Sequence, residues 1–180
     1  VNVAQACRAS DALIRLIHTS TSEVYGTAQQ LPIDEDHPVV GQSPYSASKI
    51  GADKVAESFH SSFGLPVATI RPFNTYGPRQ SARAIIPTII TQALTQSALK
   101  LGNLAPTRDF NFVADTVDGF LRIASCPDAV GRVINIGSGR EITIGNLCAS
   151  ILKQLDKADL TIVGEAERTR PDTSEVGRLC

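Results

Sequence analysis

Short apolar runs that alternate with helical patterns are the feature that most constrains this chain. Leu13-Ile14-Arg15-Leu16-Ile17, Val67-Ala68-Thr69-Ile70-Arg71 and Val133-Ile134-Asn135-Ile136 have the length and apolarity of buried strands. Leu99-Lys100-Leu101, Asp109-Phe110-Asn111-Phe112 and 160–163 read as further short strands. Helical patterns fall between them, at 44–63, 83–98, 115–125 and 144–155, and the first residues read as helix too. Parallel strands need crossovers long enough to hold a helix, so the alternation predicts an α/β protein with a largely parallel sheet. Asp115 suits an N-cap, and Val117, Phe120, Leu121 and Ala124 fall at helical spacing as core candidates. Pro87 must sit in the first turn of its helix or kink it.

The residues that follow the strands carry the chemistry. The first strand runs into Thr19-Ser20-Thr21-Ser22-Glu23. Open α/β sheets gather ligands at the carboxyl ends of their strands. A polar strand exit accounts for the hydroxyls but leaves Glu23 less well explained. Further on, Ser43 suits an N-cap and Pro44 a first helical turn. Tyr45 and Lys49 then lie one turn apart on one helix face. An ammonium beside a phenol favours the phenolate and suits it to proton exchange near neutral pH. The second strand enters Pro72-Phe73-Asn74-Thr75-Tyr76-Gly77-Pro78-Arg79, a shaped loop in which Asn74 and Arg79 are candidate donors to an anion.

Composition narrows the partners. A net charge of -1 gives no electrostatic reason to expect nucleic acid or an anionic membrane surface. No apolar run reaches transmembrane length. Cys7, Cys126, Cys148 and Cys180 are scattered, without metal spacing, as suits a reducing cytoplasm. The segment 26–42, with Asp34, Glu35 and Asp36, reads as a solvated excursion. Gly137-Ser138-Gly139 follows a strand but lacks a third glycine at position 142, so it reads as a turn and not a phosphate cradle.

Four motifs in order resemble the extended short-chain dehydrogenase/reductase family, the sugar-nucleotide epimerases and dehydratases. They are Thr-Ser-Thr-Ser-Glu-Val-Tyr-Gly at 19–26, Tyr-x-x-x-Lys at 45–49, Arg-Pro-Phe-Asn-x-Tyr-Gly-Pro-Arg at 71–79 and Arg-Asp-Phe-x-x-Val-x-Asp at 108–115. The resemblance implies a Rossmann-type doubly wound parallel sheet with part of a smaller substrate-binding domain. Residues 1–75 would be the second half of the nucleotide-binding domain. Residues 76–180 would be mostly sugar-nucleotide-binding, with elements returning to the sheet. It implies NAD or NADP as cofactor, with NAD favoured, held by Thr19, Ser20, Tyr45, Lys49, Pro72 and Asn74. Thr21, Glu23, Tyr45 and Lys49 would be catalytic. Thr21, Ser22, Asn74, Arg83, Thr88, Lys100, Arg108 and Arg170 would meet a nucleotide-diphosphate sugar.

Glu23 stands where the dehydratases carry an acid/base, so the resemblance favours a 4,6-dehydratase. A 4-epimerase and a nucleotide-glucuronate decarboxylase are the alternatives. Ser22 departs from the Asp of many thymidine-sugar dehydratases. The family's Gly-x-x-Gly-x-x-Gly loop is not in this sequence, so the chain reads as a fragment, and an inert piece or a binding module is the alternative of another class. A homodimer through Gly51, Ala52, Val55, Ala56 and Phe59 of the Tyr45 helix is also implied.

Overall fold

The computed structural model describes residues 1–164 and 175–180. Three parallel strands form the central sheet in the order β1 (Leu16–Thr19), β2 (Val67–Pro72) and β6 (Val133–Ile136). The middle strand is buried on both faces, as a parallel α/β sheet requires. Its alternation divides the layers. Val67 packs with Ala56 and Phe59 of α2 (Pro44–Phe63), while Ala68 and Ile70 pack with Ile123 of α4 (Val113–Ser125). Helices therefore cover both faces, and the architecture is Rossmann-like.

A second, smaller group of strands lies beyond this sheet. β3 (Asn74–Tyr76) pairs in parallel with the end of β5 (Thr107–Phe112). The start of β5 pairs with β7 (Glu141–Thr143), antiparallel, and with β9 (Arg178–Leu179), parallel. β4 (Ala98–Leu101) pairs with β8 (Thr161–Gly164), and α3 (Ile85–Thr95) and α5 (Ile144–Gln154) pack over a core of Ile89, Leu99, Leu101, Cys148 and Leu152. α1 (Asn2–Arg8) joins the α2 side through Ala4.

Local chemistry explains the element ends. Ser43 caps α2, accepting from Ser46 N, with Pro44 at the first position and Gly64 in the left-handed region at the end. Pro87 is the third residue of α3, where a missing N–H costs no helical bond. No helix among the described residues is long and apolar enough to cross a membrane.

Several expectations are corrected. β1 begins at Leu16, not Leu13, because the partner strand begins at Val67 and nothing pairs with 13–15; Ile14 is 87% exposed. α4 begins at Val113, with Phe112 at the N-cap, so Asp115 stands within the first turn. The face of α4 turned to the sheet is Thr116, Gly119, Phe120 and Ile123, while Val117, Leu121 and Ala124 are exposed. Gly119 sets that choice: a Cβ there would lie 2.4 Å from Ile136 Cδ1, so the helix approaches β6 on its glycine. The segment 26–42 is not merely solvated. Ile33 and His37 are buried, and the segment bonds to the C-terminal strand through Ala28 N to Arg178 O and Ile33 N to Cys180 O. Ala56 and Phe59 are core residues of this chain, because they fill the space between α2 and β2; only Gly51 of the expected interface set is fully exposed.

A buried polar network joins these layers. Arg71 on β2 donates through Nε and Nη2 to Asp53 Oδ2 of α2, at 3.2 and 3.0 Å. Its Nη1 donates to the Tyr25 hydroxyl at 2.9 Å, and that hydroxyl donates to Asn135 Oδ1 at 2.8 Å. His18 Nε2 lies 2.9 Å from Asp53 Oδ1. Burial alone would raise the Asp53 carboxyl, but the bonds from His18 and Arg71 and the guanidinium charge hold it below its ordinary value. Burial pushes the Tyr25 phenol up, against its bonds to Arg71 and Asn135. Breaking such a pair from one side leaves an uncompensated buried charge, so Asp53→Asn should cost about 3–5 kcal/mol of unfolding free energy in a denaturant titration. The folded carboxyl lies below the unfolded one. Its contribution is therefore full above the unfolded value of about 4 and is lost as pH falls through the folded value. Acid unfolding of Asp53→Asn should accordingly show a shallower pH dependence there than the parent.

Candidate active site

The carboxyl ends of β1 and β2 meet the second group of strands at a cleft of about 460 Å³. Glu23, Asn74, Arg83, Thr88 and Arg108 all line it, with Gln80, Asn103, Phe110 and Glu175. Residues 152 positions apart in the sequence, Glu23 and Glu175, thus line one cleft.

Glu23 lies in a single turn of 3-10 helix, Ser22–Tyr25, that starts where β1 ends. Thr21 caps this turn, its Oγ1 accepting from Glu23 N at 3.2 Å. Ser20 and Ser22 are buried, and Ser20 N donates to Ile70 O, continuing the β1–β2 register. Ser22 does not line the cleft. Beside the strand exit, Lys49 Nζ donates to the Thr19 carbonyl at 2.5 Å. Tyr45, one turn earlier on the same helix, is 53% exposed. Tyr45, Lys49 and Asp53 follow one another at helical spacing, so the anchor at Asp53 and the amine at Lys49 tie one face of α2 to β1 twice.

One side of the cleft carries two arginines. Arg83 stands just before α3, and Arg108 lies on β5 beside Asp109. Arg108 Nη1 donates to Thr107 O at 2.7 Å. Thr88 is buried, and its hydroxyl donates to Ala82 O at 3.0 Å, holding the entry to α3. Lys100 is exposed on β4 and is not among the cleft residues. Pro72 ends β2. Arg170 lies outside the described residues.

Gly137-Ser138-Gly139 forms a turn, and its donors are already engaged. Ser138 N, Ser138 Oγ and Gly139 N donate to the buried Asp109 carboxylate at 3.1, 2.5 and 2.8 Å. A nest occupied by a carboxylate cannot cradle a phosphate. Sequence reasoning missed this role of Asp109, as it missed Asp53, Arg71 and Tyr25. The signal in each case was a charged or polar residue at a position whose period points inward. It also missed Asn103 and Glu175, which pair at 2.7 Å on the cleft wall.

The fold and this site define a class, the sugar-nucleotide dehydratases and epimerases built on the nucleotide-binding α/β sheet. The sequence model of the family described as GDP-mannose 4,6 dehydratase matches residues 1–177, and the chain belongs to that family. It is 38% identical over 130 residues to a dTDP-glucose 4,6-dehydratase of Actinoplanes, a match that spans 72% of this chain and 40% of that protein. It superposes on the crystal structure of dTDP-glucose 4,6-dehydratase from Bacillus anthracis in complex with NAD, with a TM-score of 0.84 and 30% identity, over 99% of this chain and 54% of that one. A UDP-glucuronic acid 4-epimerase from Bacillus cereus, solved with UDP-glucuronic acid and NAD, gives a TM-score of 0.88 at 27% identity, over 98% and 55%. The chain spans about half the length of the relatives it matches.

Asp109→Ala would strip the acceptor from three donors at once. It should destabilise the chain by about 2–4 kcal/mol, more than an exposed Asp118→Ala, as read from denaturant midpoints.

Proposed function

We propose that this chain forms the catalytic and sugar-nucleotide-binding part of an NAD-dependent nucleotide-sugar 4,6-dehydratase. One observation carries the reading. The Glu23 carboxylate lines the same cleft as Arg83 and Arg108, at the end of the strand to which Lys49 is bonded. A hexose whose diphosphate rests on the arginines would place its ring toward Glu23. Guanidinium forks suit a diphosphate. Residues 1–75 are on this reading the cofactor side and 76–180 mostly the substrate side, with β6 returned to the cofactor sheet.

The residues present fit the ribose and nicotinamide end of NAD. Thr19, Ser20 and Thr21 stand at a parallel strand exit beside a lysine amine and an exposed tyrosine. Pro72 and Asn74 flank that exit. When bound, the nicotinamide supplies a hydride acceptor and donor. Tyr45 takes the proton from the sugar's C4 hydroxyl as the C4 hydride leaves. Lys49, whose amine is bonded to the Thr19 carbonyl, would hold the ribose. Glu23 would then take the C5 proton, which is acidified by the new C4 carbonyl, and hand it to the C6 hydroxyl, which departs as water. With hydride regained at C6 and a proton delivered from water to C5 through Glu23, the product would be a 4-keto-6-deoxy sugar.

The comparisons support this through relatives that carry both dehydratase and epimerase names. Glu23 favours the dehydratase over the 4-epimerase, because a 4-epimerase moves no C5 proton. We further propose a homodimer in which the exposed Gly51 side of α2 is the contact; a monomeric mass at micromolar concentration would overturn that.

The test uses the natural gene product carrying these residues, supplied with NAD and a UDP-, dTDP- or GDP-hexose. The sugar product should lose the mass of one water. Tyr45→Phe should lower oxidation by about two to four orders of magnitude. Glu23→Gln should still oxidise C4 but accumulate reduced cofactor without loss of water. Turnover of Glu23→Gln at the parent rate, with a product of unchanged mass, would replace the dehydratase by an epimerase.

A further inference from the structure

β5 orders the cleft from end to end. Its last residues lie against β3, with Phe110 beside Asn74, and Asn74 follows directly from the end of β2. Glu23 enters the cleft from the neighbouring exit, that of β1. Arg108 stands two residues back from Phe110, about 7 Å along the strand, and lines the cleft on the same face. Here β5 pairs in parallel with β9, Thr107 beside Arg178 and Arg108 beside Leu179, and Thr107 N donates to Gly177 O. The two strands run in the same direction, so the residues that precede Arg178 continue past the start of β5, away from Phe110. Glu175 is one of them. Its bond from Asn103, four residues before Thr107, places it there independently. The order along the cleft is therefore Glu23 and Phe110, then Arg108, then Glu175.

Glu175 is oriented and still accessible. Asn103 Oδ1 accepts from Ala105 N at 3.0 Å, which leaves the NH2 end of the amide to donate to Glu175 Oε2 at 2.7 Å. The carboxylate is thus turned by a side chain whose own orientation is fixed by the backbone. Glu175 is half-buried, it lines the cleft, and its Oε1 takes no part in the bond to Asn103.

Ligand chemistry follows from this order. A diphosphate offers negative charge and acceptors, so Glu175 repels it while Arg83 and Arg108 attract it. With the diphosphate on the arginines and the hexose toward Glu23, the nucleoside extends toward Glu175. The unit joined directly to the diphosphate on that side is the pentose, and the base lies one unit further. A ribose presents two adjacent donors, its 2′- and 3′-hydroxyls, and a carboxylate is an acceptor for both.

We propose that Glu175 selects the pentose of the substrate: it accepts hydrogen bonds from the ribose 2′- and 3′-hydroxyls, so the cleft takes a ribonucleotide sugar in preference to a 2′-deoxyribonucleotide sugar. This rests on the nucleotide-sugar reading of the cleft and narrows its substrate class.

Calorimetry on the natural gene product carrying these residues, with UDP, dUDP, GDP and dGDP, tests the proposal without turnover. Each pair differs by a single hydroxyl. The parent should bind UDP about fivefold more tightly than dUDP, and GDP likewise over dGDP. Glu175→Ala should bring both ratios close to one. Glu175→Gln, which keeps the length and one acceptor oxygen but not the charge, should fall between, and it decides the matter if Glu175→Ala does not fold. Equal affinities of the parent for the ribose and deoxyribose forms would overturn the proposal. A ribose preference that survives undiminished in the variants would do so too. So would a parent that separates GDP from UDP but not ribose from deoxyribose, because the carboxylate would then read the base. Failure of the parent to bind any of the four ligands would instead remove the nucleotide-sugar reading on which the proposal stands.

Discussion

The Asp53–Arg71 pair is the constraint on which the rest of the site depends. It joins α2 to β2 in the interior, and each partner recruits a further element: His18 from β1 and Tyr25 from the 3-10 turn. Tyr25 in turn bonds Asn135 on β6, and Asn135 N donates to Glu35 Oε1 at 2.8 Å. Six stretches of chain are thereby fixed relative to one another. Lone ionised groups in such an interior would be costly, and mutual pairing with complete hydrogen bonding is what makes them tolerable. The geometric consequence reaches the surface. Tyr45 and Lys49 ride on the same helix as Asp53, and Glu23 sits in the turn that ends at Tyr25.

A second buried carboxylate does comparable work on the far side of the cleft. Asp109 takes three donors from the Gly137–Gly139 turn, and its strand carries Arg108 into the cleft. The turn after β6 therefore serves as a strut that braces β5. Anion-binding geometry made of backbone N–H groups has been turned inward to hold a side chain. One brace lies on the side of the central sheet and the other at β5, which explains how residues from separate strands keep a common geometry in the cleft.

Much of this was legible in the sequence, and the physical reason is periodicity. Runs such as 67–71 and 133–136 can hardly be anything but buried strands, and Ser43-Pro44 marks a helix start by cap chemistry alone. The grouping of Glu23, Asn74, Arg83, Thr88 and Arg108 in one cleft was implied by the family resemblance; Arg83 and Thr88 stand before and within α3, where local patterning alone would not single them out. Lys100 failed to join them because its strand turns the side chain outward, while its backbone N–H is held by Gln92.

The sequence by itself determined the element types, their parallel arrangement and the hydroxyl-and-carboxylate exit of β1, because these rest on local spacing and composition. Only the tertiary structure decided which polar residues became internal. Asp53 and Lys54 are neighbours in the chain, yet Asp53 is buried against Arg71 and Lys54 faces Glu57 in water. α4 has an apolar stripe wide enough to pack in more than one rotation, and close approach at Gly119 to Ile136 chose among them, leaving Val117 and Leu121 outside. Such choices are made by contacts between residues far apart in sequence, and local patterning carries no information about them.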